Sequence, residues 1–237
     1  MKLLESLLNL LFPPKETCPL CGDKSAENKI CADCGLWLTK CRQQPFCYRC
    51  GRPSVGQVCE DCINKERPFL LARAVAPYQG PMRQAVHRFK YQGKQQLAAP
   101  LGKLMLQRIA AEPLYHHCDL VVPIPMAKTK ERLRGYNQAL LLAQVVAAGL
   151  TLPCRQVLIK VRDTVPQANL NRRQRELNLQ EVLQLKNNGN IKGRRVLLID
   201  DVITTCATVS TAAAVLRQGG ATEVLVLTLA ATPNIAK

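Results

Sequence analysis

Four Cys-x-x-Cys pairs within the first 62 residues restrict the fold of this 237-residue chain more than any other feature. They read CPLC (18–21), CADC (31–34), CYRC (47–50) and CEDC (59–62), and nine, twelve and eight residues separate them. Each pair can place two thiolates on one metal ion, and two pairs complete a tetrahedral Cys₄ site. The sequence therefore predicts two structural zinc ions with eight ligands, Cys18, Cys21, Cys31, Cys34, Cys47, Cys50, Cys59 and Cys62.

The sequence leaves open which pairs share a zinc ion. Sequential ribbons, in which the first pair joins the second and the third joins the fourth, are the simplest arrangement, and interleaved pairs are the alternative. The glycines that follow the first three pairs, Gly22, Gly35 and Gly51, suit the positive-φ turns of zinc knuckles. Because cysteine fills all four positions around each ion, the sites predict support of the fold and docking rather than catalysis.

The distribution of cysteine indicates the compartment. Nine of the twelve cysteines lie in the first 62 residues, and the beginning of the chain, MKLLESLLNLLF, reads as an amphipathic helix without a secretion cleavage site. Bound metal in a cytoplasmic protein therefore explains the cysteines better than disulfides do. No apolar run approaches the ~20 residues that cross a bilayer, so we expect no membrane insertion.

The formal charge of +16 is concentrated in the second part of the chain. Residues 1–68 hold ten Lys/Arg and eight Asp/Glu, whereas residues 69–237 hold 23 basic and nine acidic residues. A positive surplus of this size favours partners that are rich in phosphate, either nucleotides or nucleic acid.

Beyond residue 68, short apolar strands alternate with helices. Strands are predicted at 70–78, 119–125, 154–160, 194–200 and 222–231, and helices at 81–92, 98–111, 135–149 and 207–220. Such alternation, with continuous Val/Ile/Leu runs, is typical of an α/β fold with a mainly parallel sheet flanked by helices. The polar segment 161–193 shows no clean strand and is either a solvated excursion or a mobile lid. We predict two domains, an N-terminal helix with a double zinc ribbon (1–67) and an α/β domain (68–237).

The stretch VLLIDDVITTCATVS (196–210) joins a buried strand to two adjacent carboxylates, a cluster of threonines and a helix. Ligands of open parallel sheets bind at the carboxyl ends of the strands, where Asp200 and Asp201 are expected. Carboxylates there can accept hydrogen bonds from ribose hydroxyls or hold Mg²⁺ through water. Backbone N–H groups and threonine hydroxyls at a helix N-terminus suit a phosphate. The stretch predicts a sugar-phosphate site; the alternative is that these residues only cap the strand and the helix.

VLLIDDVITTCAT resembles the phosphoribosyl pyrophosphate (PRPP) motif of type I phosphoribosyltransferases. With KYQGK (90–94), VVPIPMAKTKERLRGYNQALLLA (121–143), VPQANLNRRQRELN (165–178) and the cysteine pairs, it makes the chain similar to the ComF family, and within it to the GntX-type proteins linked to competence and DNA utilisation. The resemblance covers nearly the whole chain. It implies a type I phosphoribosyltransferase-like sheet with a small N-terminal zinc-ribbon module.

The resemblance also implies roles for individual residues. Asp200 and Asp201 would contact the ribose hydroxyls, and Lys128, in a loop after strand 119–125, would contact oxygens of the leaving pyrophosphate; these are the catalytic candidates. The 5′-phosphate loop would be formed by Thr204, Thr205, Cys206, Ala207 and Thr208, with Cys206 where the family has glycine. Further cofactor-binding candidates are Arg132, Arg134 and Arg173. For each lysine or arginine, a solvated face is the alternative.

The function implied by the resemblance is binding of PRPP, or another phosphoribosyl ligand, with Mg²⁺ in a protein of DNA uptake or utilisation. Phosphoribosyl transfer to an unidentified acceptor is the enzymatic form of this hypothesis. The alternatives on the same fold are a PRPP sensor and a non-catalytic accessory protein that handles single-stranded DNA and meets DNA-uptake proteins. The positive surplus supports the DNA alternative, and the scarcity of aromatic residues opposes it.

Overall fold

The structure is a computed structural model that describes residues 16–161, 183–186 and 190–233. Its helices are α1 (Ala32–Arg42), α2 (Glu60–Ile63), α3 (Gly80–Tyr91), α4 (Ala98–Ala110), α5 (Lys128–Arg134), α6 (Gln138–Leu150) and α7 (Ala207–Gln218). Its strands are β1 (Leu71–Pro77), β2 (Leu120–Pro123), β3 (Leu158–Lys160), β4 (Leu183–Leu185), β5 (Arg195–Ile203) and β6 (Glu223–Ala231). The predicted N-terminal helix and Arg173 lie outside the described residues.

Within the described residues, four parallel strands form the central sheet in the order β1-β6-β5-β2. All of β2 and nearly all of β6 are buried, as expected for strands covered on both faces. In the register of the sheet, Ile199 pairs with Pro123 of β2 and with Leu227 of β6. The carboxyl ends of the strands therefore lie at one edge, and the predicted α/β fold with a parallel sheet is confirmed.

The two faces of the sheet carry separate hydrophobic clusters, because successive side chains of a strand point to opposite faces. Leu197 and Ile199 of β5 pack on one face with residues of α3, α4 and α6. Val196 and Leu198 pack on the other face with residues of α7. Burial of each such side chain stabilises the fold by about 1.5–3 kcal/mol, so both helical layers depend on the sheet between them.

The cysteine-rich part of the chain runs along β1, which is an edge strand of the described sheet. The Ala72 N–H donates to the Arg49 carbonyl (2.8 Å), and the Arg73 guanidinium donates to the Tyr48 carbonyl (2.7 Å). The first two cysteine pairs belong to the hydrophobic cluster on the α3–α4–α6 face, and the last two pairs belong to the cluster on the α7 face. The cysteine-rich part thus contributes to both cores, while the domain boundary at 67/68 stays a prediction.

A second sheet pairs β3 with β4 in an antiparallel arrangement. The prediction that segment 161–193 contains no strand is therefore wrong for Leu183–Leu185. The apolar alternation is only three residues long, too short to recognise, and it becomes a strand because Leu183 is buried and Leu185 packs in the α7-side core. No helix in the described part of the chain has the length and apolar character that a membrane span requires.

Gly51, which directly follows the third cysteine pair, should not tolerate a side chain. Its φ is +70°, and a Cβ there would lie 2.5 Å from the Ala72 carbonyl oxygen. Gly35 is different, and the expected positive φ is wrong for it: it is helical within α1 and has open space around it. We expect Gly51→Ala to lower the free energy of unfolding by about 2–4 kcal/mol, from left-handed strain plus overpacking. Gly35→Ala should be neutral or slightly stabilising.

Thermal or urea unfolding of the two variants checks this prediction. Gly35→Ala is the matched control, because it places the same methyl group after an equivalent cysteine pair. Equal stability of the two variants would contradict the close approach of the cysteine-rich part to β1.

Candidate functional site

Asp200 and Asp201 lie near the carboxyl end of β5, as the sequence predicts. Asp201 is buried, and its carboxylate pairs with the Lys90 ammonium at 2.7 Å. The Asp201 N–H donates to Asp200 Oδ1 (2.8 Å), and the Asp200 side chain remains partly exposed. The first carboxylate can therefore meet a ligand, while a cation already balances the second.

The environment changes how both charged groups titrate. Loss of most of its contact with water, and then repulsion from Asp201, raises the pKa of Asp200 to about 7, although part of the side chain still reaches the surface. Burial alone would lower the pKa of Lys90, but the attraction of the two aspartates outweighs it, so the pKa of Lys90 lies above its ordinary value. Ionisation of Asp200 beside Asp201 is thus unfavourable in the unliganded site, and a cation or hydrogen-bond donors from a ligand would stabilise the ionised form.

The raised pKa of Asp200 predicts that stability declines as the pH rises. The carboxyl has an ordinary pKa of 3.8 in an unfolded chain and about 7 in the folded protein, so the folded state retains a proton between these values. The contribution of this proton to the free energy of unfolding is complete below about pH 4 and is lost as the pH approaches 7. In Mg²⁺-free buffer, Asp200→Asn should therefore raise the melting temperature more at pH 8 than at pH 4. Thermal unfolding at both pH values checks this, and an equal shift at both would contradict it.

The predicted phosphate loop, residues 204–208, connects β5 to the N-terminus of α7. Thr204, Thr205 and Thr208 are exposed, whereas Cys206 is 2% exposed. Cys206 precedes the first residue of α7 with φ +65°, the region that glycine enters most easily. The backbone here has the shape that a glycine would adopt, and it leaves three threonine hydroxyls at the start of a twelve-residue helix. Such a loop can receive an anion.

Lys128 and Arg132 belong to α5, which follows the carboxyl end of β2. β2 pairs with β5, and five residues after its last residue Lys128 begins α5. The prediction that Lys128 lies in a loop is wrong, because the chain turns into a short helix immediately after Ala127. Both side chains are exposed, and their assignment to pyrophosphate stays a prediction.

Arg134 is the last residue of α5 and contacts the end of α3. Its guanidinium carbon lies 5.2 Å from the centre of the Tyr91 ring, and it donates a hydrogen bond to the Gln138 side chain. The Tyr136 hydroxyl donates to the Phe89 carbonyl. These contacts attach the RGYNQ segment (134–138) to the end of α3 that carries Lys90, while a role of Arg134 in binding a cofactor stays a prediction.

No role for Lys90 follows from the sequence alone. Its pairing with Asp201 joins residues 111 positions apart, and no local pattern predicts such a contact. The available signal was KYQGK (90–94), which contributes to the family resemblance and begins with this lysine.

Two clusters of four cysteines form the candidate metal centres. The ligand atoms in each cluster all lie within 4.8 Å of one another. The first cluster comprises Cys18, Cys21, Cys31 and Cys34, and the second comprises Cys47, Cys50, Cys59 and Cys62. The structure thus adopts the sequential pairing. In both clusters a knuckle supplies the first pair, and the N-terminus of a helix (α1 or α2) supplies the second.

The chemistry of these clusters fits zinc. Four thiolates around Zn²⁺ carry a net charge of about −2, and burial of that charge requires nearby donors or cations. Backbone N–H groups reach sulfur in each cluster, from Cys31 to Cys18 Sγ (3.5 Å) and from Cys59 to Cys47 Sγ (3.3 Å). The second cluster also has the Arg52 guanidinium against it.

Comparisons with known proteins identify both parts of the chain. Residues 7–63 match the double zinc ribbon domain model, and residues 137–236 match the phosphoribosyl transferase domain model. The chain is 30% identical to competence protein F of Haemophilus influenzae, in an alignment that covers 86% of this chain and 91% of that protein. It is 31% identical to DNA utilization protein YhgH of Salmonella typhi (84% and 90% covered) and 32% identical to competence protein ComFC of Bacillus subtilis (86% and 84% covered).

Proposed function

The chain belongs to the ComF family of competence and DNA-utilization proteins, with a double zinc ribbon and a phosphoribosyltransferase domain, and from this premise we propose that it binds PRPP with Mg²⁺. The observation that carries the proposal is the placement of Asp200 and Asp201 directly before an exposed threonine loop that opens α7. Carboxylates and a helix-terminal loop in this order match a ribose bearing a 5′-phosphate.

Each group of the ligand has a counterpart in this arrangement. The partly exposed Asp200 accepts hydrogen bonds from the ribose hydroxyls, and its raised pKa falls when cationic or donor groups arrive. The threonine hydroxyls and backbone N–H groups of residues 204–208 hold the 5′-phosphate. Lys128 and Arg132 supply positive charge for the pyrophosphate, together with Arg173, which lies outside the described residues, while Lys90 balances the charge of Asp201.

Bound Mg²⁺ would neutralise oxygens of the pyrophosphate and so make it a better leaving group. In phosphoribosyl transfer, the bond from C1′ to the pyrophosphate oxygen breaks and a bond from C1′ to a nucleophile of the acceptor forms. The chain's contribution is to position the ribose and to stabilise the departing negative charge.

Calorimetry of the purified protein, with its zinc content measured, tests the proposal. We expect PRPP to bind in the presence of Mg²⁺ and much more weakly without it. A panel of nucleobases and amines then tests for release of pyrophosphate: release shows a transferase, and binding without release shows a PRPP sensor. No binding at saturating Mg²⁺ would overturn the proposal.

Single-stranded DNA is a second candidate ligand, which a different part of the structure favours. The centre of the Phe46 ring lies 5.1 Å from the guanidinium carbon of Arg73, which pairs with Glu112, and 5.5 Å from that of Arg108, and Tyr48 beside the ring is 54% exposed. A cavity of about 340 Å³, which Arg42 also lines, opens at this cluster. Arginine and aromatic side chains together suit stacked bases and phosphates. A relative is named a DNA utilization protein, and DNA-uptake proteins are the corresponding partners.

DNA binding at this cluster would depend steeply on salt and would survive changes at Asp200. Tyr48→Ala should weaken binding of a single-stranded oligonucleotide and leave PRPP binding unchanged. Titrations at two salt concentrations separate the two functions, and loss of both ligands on the Asp200 change would exclude an independent DNA site.

A further inference from the structure

Arg52 connects the second cysteine cluster to the predicted phosphate loop. It is 3% exposed, and its guanidinium donates to Cys50 Sγ (3.5 Å) and Cys59 Sγ (3.6 Å) on one side. Its Nη1 atom donates to the carbonyl oxygen of Thr204 at 3.1 Å. A single buried side chain thus joins the second cysteine cluster to Thr204, which follows Arg52 by 152 positions in the chain.

The planar guanidinium group of Arg52 holds the hydrogen bond to Thr204 in one geometry. Arg52 Nη2 also pairs with Asp61 Oδ2 at 2.6 Å, so sulfur and carboxylate partners hold the rigid plane before it reaches the loop. The peptide after Thr204 is trans, and its N–H therefore points away from its carbonyl. Because Arg52 holds that carbonyl, it directs the N–H of Thr205 to the side opposite the cluster.

Cys206 makes a second connection between the same two parts. Its side chain is 2% exposed and packs in the same hydrophobic cluster as the four ligands. Its left-handed backbone costs about 1–2 kcal/mol for a residue with a Cβ, and such a conformation persists only where the surroundings enforce it. The second cysteine cluster provides those surroundings.

The first cluster has no equivalent connection within the described residues. Arg88 of α3 contacts this ribbon and donates to the carbonyls of Pro19 (2.8 Å) and Leu20 (2.9 Å). That contact joins the first ribbon to a helix and does not reach residues 204–208. The first cluster therefore contacts α3, whereas the second cluster contacts the predicted phosphate loop.

We propose that Arg52 is a positioning residue that couples zinc at the second cluster to the phosphate loop, so that metal occupancy there and binding of PRPP reinforce each other. The part of this inference that concerns PRPP rests on the proposed function. Coupling of this kind is reciprocal: if the metal holds the loop in its binding shape, the ligand must also slow loss of that metal. The first cluster serves as an internal reference.

The test measures how fast the cysteines are alkylated in the full-length, zinc-loaded protein. A zinc-selective chelator captures any zinc that leaves, and excess Mg²⁺ keeps the PRPP site supplied. Peptide mass spectrometry reports N-ethylmaleimide labelling of each cluster separately. Saturating PRPP should slow labelling of the second cluster about fivefold or more and leave the first unchanged, since coupling of this kind typically changes affinity by about 5–150-fold. Equal protection of both clusters, or of neither, in protein that binds PRPP would overturn the proposal.

Arg52→Lys is the decisive variant, because it keeps the positive charge beside the thiolates but lacks the fork that reaches Thr204. It should retain two zinc ions and lose the protection by PRPP. Arg49→Lys is the matched control: Arg49 donates to the Cys62 carbonyl (3.0 Å) within the same ribbon, so its replacement should leave the protection intact. Protection that survives in Arg52→Lys would overturn the role of Arg52.

Amide hydrogen exchange without ligand separates this proposal from the proposed function. The peptide that contains residues 204–208 should exchange faster in Arg52→Lys than in the wild type or in Arg49→Lys. Identical exchange in all three proteins would refute the coupling even if PRPP binds. Absence of PRPP binding by the wild type would refute the proposed function, and faster exchange in Arg52→Lys would still show that the second cluster holds the loop.

Discussion

Replacing both Asp200 and Asp201 with asparagine should abolish Mg²⁺-dependent binding of PRPP. Hydrogen bonds to a charged group contribute about 1.5–3 kcal/mol each, so loss of two carboxylates should weaken binding by about a hundredfold or more. The change is nearly isosteric, and the raised pKa of Asp200 indicates that its charge is a burden to the unliganded fold. Asp201→Asn leaves the Lys90 ammonium without its partner, which costs stability, so calorimetry should show lost affinity at a temperature where thermal unfolding shows that the double variant is still folded.

Asp119→Asn is the matched control for this change. Asp119 immediately precedes β2 and so lies at the amino ends of the strands, opposite the carboxyl edge. Its Oδ2 accepts a hydrogen bond there from the Arg195 N–H at 2.7 Å. The same chemical change at this position should leave PRPP affinity within about twofold, since Asp119 lies away from the carboxyl edge. Unchanged affinity in the double variant, or equal losses in the double variant and the control, would remove the carboxylates from the site.

The order of the strands and helices could be predicted because local patterns determine it. The apolar runs that produce β5 and β6 are buried on both faces, and the predicted bounds agree with the structure to within three residues. The position of Asp200 at the carboxyl edge follows from the same pattern. The short β4 could not be predicted, because it depends on packing against α7 rather than on its own three residues.

The contacts that complete the site could not be predicted in the same way. The pairing of Lys90 with Asp201, and the reach of Arg52 to Thr204, join residues far apart in the chain. Cys206 shows both cases: its place in a glycine-like turn follows from the motif, whereas its packing with the second cysteine cluster depends on how the cysteine-rich part lies along β1. Local sequence predicts which backbone is needed, and tertiary packing decides what holds it.

Replacing Cys62 with serine should remove one of the two zinc ions and unfold the second ribbon. Cys62 is fully buried within the second cluster. Structural zinc contributes an apparent binding free energy of about 10–16 kcal/mol, which is comparable with the whole stability of an ordinary domain, about 5–15 kcal/mol. Because this cluster belongs to the α7-side core, we expect a large fall in melting temperature, measured together with zinc content.

Cys118→Ser provides the control, because Cys118 is buried to a similar extent (6% exposed) and belongs to neither cluster. Loss of the apolar thiol there should cost only about 1–3 kcal/mol, the usual cost of burying a hydroxyl in a protein, and should leave two zinc ions bound. Comparison of the two variants separates the effect of losing the metal from the general effect of placing serine in a core. Two zinc ions in Cys62→Ser, or equal destabilisation of the two variants, would mean that the second cluster does not hold the α7-side core through its metal.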